Sequence, residues 1–390
     1  MIKSFLFFIF IITNLEASSL EFMSYNVENL FDAKHDVTEG KSKEDWAYLP
    51  KNAIGKKEAC LKESSKKRRK ECLKSDWTQK KVDLKINQIA EVIKAKNKFL
   101  PDFLGLIEVE NEIVVKSLAK KLGYEDFVIT NGPDPRGMNV ALLYKKSKFV
   151  KMIHHSELII NSDYPTRNIL EVEFLIDDTY PLYLFVNHWP SLHNPDSTRV
   201  LAAEVLKKRW LELLKMNPDL YLIAMGDFNT VDSNSPHPFK DVLYSNHLFS
   251  DVSELFIADN KIPILAKNNM PKGTYFFVPE KSWSMLDHFF VNQNLLINKQ
   301  MKLNVASFEI FAPSFIKKEF YDKRKRIKGR KRENIGPNVY FIPMAFNPDS
   351  TKKNKIGFSD HFPIVMKVDL QDKNKKINKE NKNQIRNIKN

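Results

Sequence analysis

The sequence predicts an α/β fold in which two packed β-sheets are flanked by helices, and three features carry that reading. First, short runs of aliphatic and aromatic residues recur along the chain: LEFMSYNV, FLGLIEV, NVALLYK, ILEVEFLI, LYLFVNHW, YLIAMGDF, TYFFV, LDHFFV and PIVMKVDL. Most have the length and composition of strands. Second, helical periods separate only some of these runs, whereas a purely parallel sheet needs a crossover after nearly every strand. Third, ILEVEFLI and LYLFVNHW are joined by DDTYP alone, which reads as an antiparallel hairpin.

The helices follow from periodicity. Val82, Ile86, Ile89 and Ile93 fall on one face, as do Ala203, Leu206, Trp210 and Leu213, the latter segment ended by Pro218. A third helix is expected over 112–122, closed by Gly123 as a C-cap. A chain of 390 residues with 43% apolar content can bury a large core. There are no internal repeats and no linker-like stretch. One domain is therefore expected over residues 18–370, followed by a basic tail at 371–390.

The first residues have a different character. Lys3 precedes an apolar stretch from Phe5 to Ile12 and small residues from Ala17 to Ser19, the layout of a secretory signal peptide. Asn14 and Glu16 interrupt it short of the roughly 20 apolar residues a membrane span needs. The expectation is a signal peptide over 1–17 and a periplasmic or secreted monomer, not stably inserted in a membrane once the signal is cleaved. Cys60 and Cys72 bracket the basic loop LKESSKKRRKE. In an exported protein such a pair is expected to form a disulfide, because two thiols cannot complete a zinc shell.

Formal net charge is +14, and residues 1–17 add nothing to it because Lys3 and Glu16 cancel. Positive charge concentrates at 62–70, in KKEFYDKRKRIKGRKR (317–332) and after Gln371. Such blocks attract polyanions, whether nucleic acid, anionic lipid or cell-surface polymer. The alternative is solvated insertions without a specific ligand.

Apolar runs end or begin on polar groups. Asn26 closes the first and Glu108 the second; Asn187 and His188 close the hairpin strand; Asp227 and Asn229 follow the next; Asp287–His288 and Asp360–His361 open two late runs. Singly, each has an ordinary reading: a turn cap for Asn26, a surface charge for Glu108, a turn for GDFNT, a packed neighbour for His288, a solvated loop for Arg136. Jointly they matter, because in mixed sheets the ends of some strands and the starts of others share one rim. Converged there, Asn26, Glu108, Asp227, Asn229 and Asp360 supply oxygen donors without thiolates, which suits Mg²⁺, Mn²⁺ or Ca²⁺ better than zinc. His188 and His361 can move protons near neutral pH. Arg136 and Arg167 can hold phosphate oxygens.

The ordered set MSYNVENLFD, LGLIEVEN, RGMNVALLY, VNHWPS, MGDFNT, SMLDHFFV and GFSDHFPI resembles the endonuclease/exonuclease/phosphatase, or DNase I-like, family over residues 20–370. The resemblance implies a four-layer α/β/β/α sandwich of two mixed β-sheets flanked by helices. It implies that Asn26 and Glu108 are metal-site residues, with Glu108 the main Mg²⁺ ligand, and that Asp360 lies beside the metal. Asp227 and Asn229 would position the attacking water or leaving oxygen and the phosphate. Asp287 would orient a catalytic His361, while His188 would contact the phosphate or serve as acid, and Asn187 would help hold the phosphate. One departure stands out: the carboxylate that pairs the counterpart of His188 is absent from RGMNVALLY.

The implied reaction is hydrolysis of a phosphodiester by His361-activated water, with charge stabilised by the cation. An exported nuclease acting on DNA or RNA is the reading the basic loops favour. A lipid phosphodiesterase or phosphatase of the same fold is the first alternative. No exposed aromatic pair between strands advertises a lipid-inserting hairpin. The second alternative is a catalytically silent polyanion-binding protein.

Overall fold

The computed structural model describes residues 19–38, 41–97, 99–147, 150–298, 300–321 and 339–371. The expected signal peptide, the tail beyond Gln371 and most of the basic 317–332 block lie outside the described residues. In chain order the strands are β1 (Ser19–Leu30), β2 (Val37–Thr38), β3 (Lys41–Ser42), β4 (Phe103–Val109), β5 (Asp126–Ile129), β6 (Asn139–Tyr144), β7 (Val150–Leu158), β8 (Ile169–Ile176) and β9 (Tyr180–His188). They continue with β10 (Tyr221–Asp227), β11 (Ser250–Asp251), β12 (Tyr275–Phe277), β13 (Ser282–Ser284), β14 (Asp287–Val291), β15 (Met301–Ile310), β16 (Lys317–Tyr321), β17 (Val339–Pro343) and β18 (Ile364–Leu370). The helices are α1 (Lys56–Lys62), α2 (Lys66–Lys74), α3 (Gln79–Lys96), α4 (Glu112–Leu122), α5 (Asp196–Met216), α6 (Val252–Ala258), α7 (Ile264–Asn269) and α8 (Asn294–Ile297).

Two six-stranded sheets form the centre, with orders β15-β18-β1-β4-β6-β5 and β11-β14-β10-β9-β8-β7. Each has one parallel pair in its middle, β1 with β4 and β9 with β10, and antiparallel neighbours outward from it. The expected DDTYP hairpin is β8–β9; three residues, Asp177 to Thr179, separate the paired strand ends, and the tight turn closed by the Thr179 amide on the Ile176 carbonyl holds Asp177 and Asp178 at positive φ. The topology brings the C-terminal ends of β1, β4, β9 and β10 to the same rim as the N-terminal ends of β14 and β18. That is the convergence on which the sequence reading depended.

Side-chain alternation builds the layers. In β9, Leu182, Leu184 and Val186 join the inter-sheet core, while Tyr183 and Phe185 join Leu206, Trp210 and Leu213 of α5 on the outer face. The outer face of the other sheet is covered by α3 and α4, whose buried residues include Val82, Ile86, Ile89 and Ile93, and Val114, Val115 and Leu118. Gly123 ends α4 in the left-handed conformation, as its position suggests. The sheets approach so closely that a Cβ on Gly105 would come within 3.1 Å of the Met225 Cε. Each fully buried Leu or Phe contributes about 2 kcal/mol, so the core alone specifies the frame that holds the polar rim.

The segment read as a basic loop is instead a pair of short helices, α1 and α2, joined by the Cys60–Cys72 disulfide. Lys, Arg, Glu, Ala and Leu are all good helix formers, and Ser65 caps α2 by accepting a hydrogen bond from the Arg68 amide. The run TYFFV joins neither large sheet; it forms the small β12–β13 hairpin beside the rim.

Candidate active site

Irregular backbone aims the first two site residues. β1 and β4 run in regular parallel register up to Asn26 and Ile107, then shift, with the next pair at Leu30 and Val109. Glu28, Asn29 and Glu108 around this bulge have positive φ, as does Asn229 on the facing sheet. Such backbone is costly for residues with a Cβ and persists where the surroundings over-determine it. The buried Asn26 Nδ2 donates to Glu108 Oε1 at 3.2 Å and to Asp227 Oδ2 at 3.0 Å, tying the two sheets together. Glu108 Oε2 accepts from the Asn29 amide at 3.1 Å.

The second sheet supplies the rest. Asp227 pairs with His188 on β9 and with Asp287 on β14, so three site residues are register neighbours. Gly226 before it has φ 137°, and a Cβ there would sit 2.0 Å from the Asn187 carbonyl oxygen. Only glycine lets the strand end pass that close. Asp227 Oδ1 accepts from the Asn229 amide at 2.9 Å. His361 Nδ1 lies 2.7 Å from Asp287 Oδ2, and its Nε2 faces Asp227 Oδ2 at 4.0 Å. Both members of this dyad are buried. Ser359 locks the approach of the strand, its Oγ donating to the Asn26 carbonyl at 2.7 Å and accepting from the His361 amide at 3.2 Å.

Glu108, Arg136, His188, Asp227, Asn229, Asp360 and His361 all line one cavity of about 1020 Å³. His188 Nε2 is 3.8 Å from Glu108 Oε1 and 3.9 Å from Asp227 Oδ2, while its buried Nδ1 has no partner among the described residues. The carboxylate missing from the sequence motif is thus missing from the site. Asp134, the nearby candidate, is engaged by Arg136 at 3.0 Å and Arg167 at 3.4 Å. Burial, then Arg167 and Arg136, hold the His188 imidazole well below its ordinary pKa, so it is neutral.

Two expected phosphate-binding residues are otherwise engaged. Asn187 is buried within the sheet; its amide donates to the Phe185 carbonyl at 3.0 Å, and its oxygen accepts from the Trp189 indole at 3.0 Å. It does not line the cavity. Arg167 reaches the cavity wall, but its guanidinium donates to the carbonyls of His188 at 3.2 Å and Trp189 at 2.5 Å, which makes it a brace for the β9 end. Arg136 is also held, by Asp134 through its Nε at 3.2 Å and its Nη2 at 3.0 Å, but its side chain is partly exposed and lines the cavity, so it still faces a phosphate there.

The site is electrostatically crowded. Burial and then the neighbouring Asp360 raise the Glu108 pKa; burial and then Asp287 push Asp227 up to about 7; burial and then Asp360 push Glu28 up to about 7. The buried Lys85, brought down to about 8 by burial, donates to the Phe358 carbonyl at 2.8 Å and opposes the shift on Glu28, as His361 and Arg136 do on Glu108. On His361, burial opposes the charged form, yet Asp287, Asp360 and Asp227 outweigh it and raise the pKa well above the ordinary value. Among the described residues no three His, Cys, Asp or Glu side chains form a preassembled metal cluster. The donors do fit a hard divalent cation: they are oxygens, they are incompletely compensated, and two or three at a time leave coordination positions for water and phosphate.

Sequence reasoning passed over four neighbours. Lys85 occupies the apolar phase of α3 beside Val82 and Ile86, a misplaced charge that could have signalled it. Glu28 follows Asn26 in a strand end already read as functional. Ser359 and Tyr275, whose ring centroid is 5.1 Å from that of His361, carried no local signal.

A family model described as the Endonuclease/Exonuclease/phosphatase family matches residues 64–370, and the chain belongs to that family. Asn26, expected from the resemblance to be a metal-site residue, precedes the matched span. No curated protein matches the sequence. Among solved structures, a humanized D. rerio TDP2 aligns at 13% identity with a TM-score of 0.50, covering 90% of this chain and 99% of the other. An endonuclease/exonuclease/phosphatase family protein from Bacteroides thetaiotaomicron aligns at 16% identity and TM-score 0.49, covering 91% and 99%. The catalytic domain of human nocturnin, solved with a bound sulfate anion, aligns at 12% identity and TM-score 0.47, covering 90% and 95%.

Proposed function

We propose that this chain is an exported, divalent-metal-dependent phosphodiesterase that cleaves nucleic acid, DNA before RNA. The observation that carries the reading is the His361–Asp287 dyad opening onto Glu108, Asp227 and Asn229 in one cavity. The Cys60–Cys72 bond suits an oxidising compartment, and a net charge of +14 suits a polyanionic substrate.

Glu108 and Asp360, with Asn26 holding Glu108 in place, are the residues that would hold the cation, Mg²⁺ first with Mn²⁺ or Ca²⁺ as alternatives. When bound it supplies charge stabilisation at the phosphoryl oxygens. Asp287 accepts from His361 Nδ1, which fixes the ring with Nε2 facing the cavity; the carboxylates that raise the His361 pKa make its neutral ring, once a proton has been lost, the stronger base toward water. Asn229 and Arg136 sit where they can orient the phosphate. Neutral His188 offers an Nε2–H donor to the same group.

A second reading has a specific observation behind it. The β12–β13 turn, from which the sequence advertised no lipid-inserting pair, leaves Phe277 38% and Val278 45% exposed beside the cavity. That favours a lipid phosphodiesterase as the runner-up. The deciding experiment is a parallel substrate panel of plasmid DNA, RNA, sphingomyelin, phosphoinositide and a sugar phosphate, with and without EDTA. DNA cleavage that EDTA abolishes supports the nuclease; turnover confined to a lipid overturns it in favour of the runner-up. Binding of DNA without any hydrolysis in the panel leaves the silent polyanion binder.

A further inference from the structure

We propose that the disulfide-linked helical pair α1–α2 is an exosite for the phosphate backbone of the nucleic acid strand whose other end lies in the catalytic cavity. This deepens the nuclease reading and rests on it. Residues 56–74 hold nine basic and three acidic side chains. Lys62, Lys66, Lys67, Arg68, Lys70 and Lys74 are all exposed, and none has a carboxylate partner among the described residues. A solvated helical face normally interleaves both signs; this one concentrates a single sign.

The pair is held rigidly, as a backbone-tracking surface must be. Cys60 and Cys72, the inward positions of the two helices, are bonded. At the base, the buried Lys56 Nζ donates to the Leu49 carbonyl at 2.6 Å, the Ser75 carbonyl at 3.0 Å and Ser75 Oγ at 2.9 Å. One lysine thus ties the start of α1, the end of α2 and the neighbouring turn together.

That turn leads to the catalytic rim. Trp46 packs under Gly55, and Tyr48 stacks on Phe31 with ring centroids 4.1 Å apart. The Tyr48 hydroxyl lies within electrostatic reach of Glu108 and Arg136. Lys43 on the same segment donates to the Asp134 carbonyl at 3.3 Å, beside Arg136. The cationic face is therefore mechanically continuous with the Glu108 and Arg136 side of the cavity. The first turn of α2 also carries Lys66, Lys67 and Arg68 and no acid, an arrangement the helix dipole disfavours. Anionic phosphate at that surface relieves it.

The test uses the oxidised full-length chain. Lys66→Gln, Lys67→Gln and Arg68→Gln are combined, and binding to a 30-base-pair duplex is measured in the inactive His361→Ala background, so that it does not depend on turnover. The expected result is about tenfold weaker binding at low salt and a shallower slope of log K against log salt, by about 0.9 for each phosphate no longer neutralised. In the active background, KM for long DNA should rise with kcat unchanged, and hydrolysis of bis(p-nitrophenyl) phosphate should not move. Cys60→Ser with Cys72→Ser should shift binding the same way. Duplex binding and salt slope equal to wild type would overturn the exosite, as would loss of binding to phosphatidylglycerol vesicles with DNA binding untouched. A wild-type chain that hydrolyses the small diester but no polynucleotide would instead overturn the nuclease reading, a separable result.

Discussion

His361 and Asp287 sit 74 positions apart in sequence and 2.7 Å apart in space, and the proposed chemistry turns on that bond. His361→Ala should lower kcat on a phosphodiester by about 10²–10⁴-fold, the range of a general acid or base, and should also lower the melting temperature, because it strips the buried Asp287 of its partner. Asp287→Asn should fall in the same direction, because the ring loses its fixed tautomer. Elsewhere on the same strand, His288 Nδ1 meets Asp251 Oδ2 at 2.6 Å, deep among Phe228, Phe239 and Phe290. Burial opposes both charges, yet Asp251 raises the His288 pKa and His288 lowers that of Asp251. The raised histidine stabilises fully below its unfolded value of about 6.5, and this is lost as pH rises through its folded value; the depressed aspartate stabilises above about 3.9, and this is lost as pH falls through its folded value. A melting temperature that peaks between those limits, and flattens in Asp251→Asn, is the expected outcome of a pH series. At this scale the sequence was most informative where polar residues closed apolar runs. Asn26, Glu108, Asp227, Asp360 and His361 were legible for that reason. Asn187 obeyed the same pattern yet turned inward, because alternation along β9 decides which strand-end side chain faces the rim. Ser359 was invisible because its role is a hydrogen bond to a strand 333 residues away.

Elements show the same division. β1, β4, β6, β8, β9, β10, β14 and β18 are buried along most of their length, and their apolar runs announced them. β5, β7, β11 and β15 gave no such run: β7 is an edge strand whose middle is exposed, and β15 mixes buried positions with half-buried and exposed ones. Sheet edges are written in polar residues, so single-sequence patterning loses them. The α1–α2 pair was read as a loop because its charge masked its helix propensity. Breaking its disulfide, which spans 12 residues, should cost about 2–4 kcal/mol in chemical denaturation. Gly226→Ala is the sharper test of the strand-end geometry. Its Cβ would meet a main-chain oxygen rather than a flexible side chain, so a loss of about 3 kcal/mol or more is expected. Equilibrium unfolding in urea checks both.

Over the whole molecule, two mixed sheets with matching parallel centres bring Glu108, His188, Asp227, Asp360 and His361 to one rim, and the core fixes that rim before any ligand arrives. The order of motifs along the chain carried the family; the convergence of their side chains needed the topology. Charge belongs to this scale as well: affinity for a polyanion should fall steeply with salt, because each neutralised phosphate releases counterions. The most direct measurement is the degradation of supercoiled plasmid by the purified chain in Mg²⁺, set beside the same reaction in EDTA and beside His361→Ala. Nicking and degradation by the wild type in Mg²⁺ alone is the expected result. Degradation that survives EDTA, or that His361→Ala retains, would contradict a metal-assisted reaction run through His361.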